Sequence, residues 1–162
     1  MKRLALMAVV LAACGGDDGG GDTKMASSTV SGFMGGTVTG TGMFQQGAVD
    51  TAADSVTVTI NLTGCVAGKA YPVHIHTGAA CTDTTAQGGH WDMTRGEGIP
   101  NISCSGTSGS TVYNRAATDA TLKWSVGDGS ATDVIGHTIV VHDPDMPMTR
   151  IACGTITAAA GS

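Results

Sequence analysis

Five histidines are the residues of this 162-residue chain best suited to chemistry: His74, His76, His90, His137 and His142. In Tyr71-Pro72-Val73-His74-Ile75-His76 an i, i+2 pair lies in a strand-like setting. Side chains two apart on a strand share a face, so both imidazoles point one way while Val73 and Ile75 point the other. Two imidazoles side by side suit a metal that prefers nitrogen ligands. An isolated pair of this kind also fits a solvated polar strand face, so the remaining histidines decide. His90 sits in the loop Gly88-Gly89-His90-Trp91-Asp92, and His142 ends the apolar run Ile139-Val140-Val141.

The elements that must position them read as strands. Val56, Val58, Ile60 and Leu62 interleave with Ser55, Thr57, Thr59 and Asn61, a period of two that turns one face to a core. Leu122, Trp124 and Val126 repeat the pattern, and Ile139, Val141 and Ile151 belong to further strands. No window of ten or more residues carries a helical stripe. Glycine turns recur at Gly35-Gly36, Gly64, Gly68 and Gly127-Asp128-Gly129. Seven or eight short strands in one domain predict an antiparallel sandwich or barrel, all-β.

The N-terminus reads differently. Met1-Lys2-Arg3 and the apolar run from Leu4 to Leu11 form a secretory signal over residues 1–13, too short for a stable span. It closes on Leu11-Ala12-Ala13-Cys14, which resembles the lipobox of bacterial lipoproteins and implies cleavage before Cys14 and acylation of its thiol. Residues 14–27, rich in Gly and Asp, read as a tether, and residues 28–162 as the domain. Export places the chain on the periplasmic or cell-surface side of a bacterial membrane, held there by lipid alone. Losing Lys2 and Arg3 takes the formal charge from −5 to −7. With no basic cluster, a nucleic-acid platform is not expected. In an oxidising compartment the four cysteines left, Cys65, Cys81, Cys104 and Cys153, form an even set suited to two disulfides.

The order of blocks is more specific than any one of them. Val73-His74-Ile75-His76, Cys81, Gly89-His90-Trp91-Asp92, Ile135-Gly136-His137-Thr138-Ile139-Val140-Val141-His142 and Arg150-Ile151-Ala152-Cys153-Gly154-Thr155-Ile156 together resemble the copper/zinc superoxide dismutase family. The resemblance implies an eight-stranded Greek-key barrel. It places His74, His76, His90 and His142 on the copper ligands and Arg150 on the arginine that attracts the superoxide anion. Cys81 and Cys153 fall on the family's disulfide, which leaves Cys65 and Cys104 to each other without a family template. His137 replaces an arginine of its block. Five positions from His142 on a strand, it should face away, so it is not expected to be a ligand.

Two departures stand out. No histidine lies between His90 and His137, and Glu97 falls where a zinc histidine belongs, so zinc is not expected. Glu97 then reads equally as a carboxylate that orients the His90 ring and as a solvated loop residue. The segment from Asp143 to Thr149 is far shorter than the family's charged guiding loop, so the copper should be more exposed. Its Met146 and Met148 are explained better as incidental than as a soft contact to Cu(I). Copper-only family members share both losses and remain dismutases. The leading expectation is therefore a copper-only superoxide dismutase in which His90 also donates a proton. The alternative is a non-catalytic copper-binding lipoprotein of the same fold, for sequestration or delivery, and the least favoured is a structural module. A homodimer is compatible with the sequence.

Overall fold

Val56, Val58, Ile60 and Leu62 are all buried, and the run that carries them is one straight strand, β3 (Val56–Thr63). The computed structural model describes residues 23–47, 55–91, 95–115 and 123–159. Cys14, the signal sequence and the Gly/Asp run to Asp22 lie outside the described residues, as do Leu122 and Asp92. The other strands are β1 (Lys24–Gly32), β2 (Thr39–Gln46), β4 (Ala70–Tyr71), β5 (Val73–His76), β6 (Ile102–Ser103), β7 (Ser108–Arg115), β8 (Thr138–His142), β9 (Arg150–Thr155) and β10 (Thr157–Ala158). One helical turn, α1 (Thr84–Gln87), interrupts them.

Eight strands form one antiparallel sheet. Its path runs β5-β8-β9-β1-β2-β3-β7, with β10 also on β1, while β4 and β6 pair separately. The sheet curls over its own core: a Cβ added to Gly42 on β2 would come 2.3 Å from Ile139 Cδ1 on β8, three strands away along the path. A glycine there lets the two walls approach. The interior is mostly Val and Ile, with Phe44 edge-on to Trp124 at 6.0 Å between ring centroids. Burying a side chain such as Ile60 stabilises by roughly 1.5–3 kcal/mol. The two ends of the path, β5 and β7, share no ladder.

Two sequence expectations need correction. The tether does not run to residue 27, because β1 begins at Lys24 and Ala26 is fully buried between β2 and β10. A small residue carries little weight in an apolar alternation, which hides the start of the strand. Trp124 and Val126 are buried, yet among the described residues they lie in no strand, and Ser125 between them forms an isolated bridge with Asp133. Ser125 between them is buried as well, its hydroxyl bonded to Asp128 and Thr132, so a period of two no longer means one inward face. Disulfides join Cys65 to Cys104 and Cys81 to Cys153.

Candidate metal centre

Strand alternation and pairing put His74 and His76 on one face of β5, opposite Val140 and Thr138 of β8. His142 follows Val140 by two residues on that same face, just past a register shift between Val141 and His142. His90 arrives from a loop docked on the free edge of β5. The amides of Thr77 and Trp91 donate to the carbonyls of Gly89 and Ile75, each at 2.9 Å, and His76 bridges His90. Gly88 makes that loop feasible: its φ of +69° suits glycine, and a Cβ there would strike Thr77 Oγ1 at 2.2 Å. Its carbonyl accepts a hydrogen bond from His76 Nδ1 at 3.0 Å.

The four rings converge. One nitrogen from each of His74, His76, His90 and His142 lies within 4.8 Å of the others. The Nε2 atoms of His76 and His142 are 3.3 Å apart. Metal–nitrogen bonds of about 2.0–2.1 Å place neighbouring ligand nitrogens about 3 Å apart, so the spacing fits a single ion. His74 Nδ1 is buried without a hydrogen-bond partner. Burial holds His76 down to about 3 and His142 down to about 4, aided by neighbouring positive groups, and burial also lowers His74. All three are thus neutral at pH 7, the form that binds a metal.

Glu97 lies across two of these rings. One carboxylate oxygen accepts from His90 Nδ1, and the other is 3.1 Å from His74 Nε2. The contacts fix both tautomers, leaving His90 Nε2 and His74 Nδ1 as the nitrogens free to bind. The segment carrying Glu97 is pinned from behind. Buried Arg115 donates to the carbonyls of Arg95 and Glu97, and Trp124 Nε1 donates to Arg95 at 2.8 Å. Arg150 pairs with His142 across β8 and β9, and its Nη1 donates to the Thr84 carbonyl at 2.8 Å and to Gln87 Oε1 at 3.1 Å. Its charge lowers the pKa of both His76 and His142.

The model of the copper/zinc superoxide dismutase family matches residues 38–161. The chain belongs to that family. The solved structure of Candida albicans superoxide dismutase 5 in its copper(II) form is similar to it at 19% identity and a TM-score of 0.62, covering 87% of this chain and 95% of that one. A substituted form of the same protein is similar at 20% identity and a TM-score of 0.61, covering 86% and 94%. No curated protein matches the sequence significantly. Membership brings with it a superoxide dismutase-type oxidoreductase function with superoxide as substrate.

His137, not expected among the ligands, stands apart from the four. It stacks on Trp91 at 4.1 Å between ring centroids, and its Nδ1 is 3.1 Å from the His76 carbonyl. Sequence reasoning missed Gln87 and Arg115. Neither belongs to a family block, and each acts through a backbone or side-chain contact between distant segments, so no local pattern points to them.

Proposed function

We propose that this chain is an exported, copper-dependent superoxide dismutase that works without zinc, with copper held by His74, His76, His90 and His142. The observation that carries the reading is the convergence of four imidazole nitrogens within 4.8 Å, one of them buried without any protein partner. Copper in that donor set supplies a one-electron change that oxidises one superoxide to oxygen and reduces a second to hydrogen peroxide, with two protons taken up. Arg150 draws the anion in by charge. His90, bonded through Nδ1 to a half-exposed carboxylate, exchanges protons with solvent by way of Glu97. The zinc-free part of the reading is supported by Glu97, whose carboxylate lies on His90 Nδ1.

The test is superoxide decay by copper-loaded, metal-matched protein against the metal-free form, with elemental analysis after loading with both metals. Rapid decay with one copper and no zinc is the expected result; stoichiometric zinc overturns the copper-only reading. The second reading, a non-catalytic copper carrier, draws on Met146 and Met148, which are 59% and 93% exposed in the turn that follows His142. Copper binding without dismutation would favour it. The location rests on the lipobox-like ending at Cys14, and Cys14→Ser is expected to move the protein from the membrane to the soluble fraction.

A further inference from the structure

Gln87, the last residue of α1, is wholly buried, and its side chain meets Arg150. Its backbone is fixed at both ends, the amide donating to Asp83 O at 3.1 Å and the carbonyl accepting from Gly78 N at 2.9 Å. A guanidinium has donors and no acceptor, so the side-chain oxygen of Gln87 must be the atom that faces Arg150. The second acceptor on the same nitrogen is the Thr84 carbonyl, also neutral. Among the described residues no carboxylate forms an ion pair with Arg150. Asp145, in the turn just before it, is taken by Lys69 at 2.6 Å.

An arginine can be held still in several ways. A carboxylate holds it most firmly, in a two-bond fork, but cancels its charge. Water leaves the charge free and the side chain mobile. A buried amide oxygen does what neither can, fixing the guanidinium while leaving its net charge intact. We propose that Gln87 is a positioning residue that fixes Arg150 through a neutral acceptor and so keeps its charge uncompensated for the small anion that approaches the four-histidine centre. This rests on the dismutase reading above only for the identity of that anion.

The experiment uses the copper-loaded protein and azide, a small monovalent anion, titrated optically on the cupric centre at low and high ionic strength. Gln87→Glu keeps the shape and adds a carboxylate. It should weaken azide binding roughly tenfold at low ionic strength, the gap narrowing as salt screens the charges. Gln87→Met removes the acceptor without adding charge. It should weaken azide only severalfold, with a gap that salt does not change. The dismutation rate should follow the same order. Equal affinity of Gln87→Glu and the parent at low salt overturns the proposal. If Gln87→Glu fails to fold or load copper, Gln87→Met decides, and parent-like affinity in that variant overturns it. A parent that binds azide with this pattern but does not dismutate overturns the enzymatic reading and supports the role of Gln87.

Discussion

The imidazoles of His76 and His142 are kept neutral by the same burial that prepares them for a metal, and this links the centre to acid stability. In the unfolded chain both titrate near the ordinary 6.5, whereas in the folded chain they protonate only near about 3 and about 4. Between those values the unfolded state binds more protons, so stability falls as pH drops. The contribution is fully present above 6.5 and is lost towards 4. Both rings thus weaken the metal-free fold progressively as the pH falls across the window. Thermal unfolding of the metal-free protein should therefore show a Tm that declines steadily from pH 7 to pH 4. A replacement of both rings by Gln should flatten the decline, and an unchanged slope would show that other groups govern it. The histidines themselves were legible in the sequence, because their spacing on strands and the order of their blocks are local facts. Gln87 and Arg115 were not, since their roles exist only once residues 63 and 18 positions away are brought against them.

At the scale of elements, the segment from Thr77 to Trp91 does most to assemble the centre. It delivers His90, supplies the Gly88 carbonyl to His76 and presents α1 to Arg150. Cys81–Cys153 ties it to β9, three residues beyond Arg150, whereas Cys65–Cys104 braces a stretch already laced by bonds from Gly68 to Cys104 and from Cys104 to Lys69. Removing either bridge should cost about 2–4 kcal/mol in unfolding free energy. Only the double Ser variant of Cys81 and Cys153 should also weaken copper binding and alter the cupric EPR spectrum. The matching variant of Cys65 and Cys104 should leave both as they are. Equal effects on copper from the two would show that general stability, not the loop anchor, sets metal affinity. Strands β3, β5 and β8 were readable as alternation or as an apolar run ending in His142. The stretch around Trp124 was not, because its burial comes from a loop folded over the barrel, and apolar alternation alone cannot separate that from a strand.

At the scale of the whole molecule, the centre sits where the sheet fails to close. β5 and β7 end the path without a ladder, and the segment from Arg95 to Gly98 spans the gap. On the β5 side, Ile75 N donates to Gly96 O at 3.0 Å, and on the β7 side the Arg115 guanidinium holds the carbonyls of Arg95 and Glu97. Arg115 is itself packed against Trp124 and Tyr113, its Cζ 4.7 Å and 5.4 Å from their ring centroids. Closure of the barrel and placement of Glu97 on His90 are therefore one device. Arg115→Met keeps much of the packing volume while removing the donors, so the Glu97 carbonyl loses the Arg115 bond while the Arg95 carbonyl retains Trp124 Nε1. A buried carbonyl left unsatisfied costs about 1–3 kcal/mol, so the variant should unfold at lower temperature. Loss of the anchor should also speed hydrogen exchange at the Gly96 amide, which donates to Trp91 O at 2.8 Å, and should weaken copper binding through Glu97 and His90. Val112→Thr, an exposed change on the same strand, should do none of these things. If Arg115→Met lowers the Tm but leaves both Gly96 exchange and copper affinity at parent values, Arg115 stabilises the barrel without positioning the site, and the closure and the centre are separate.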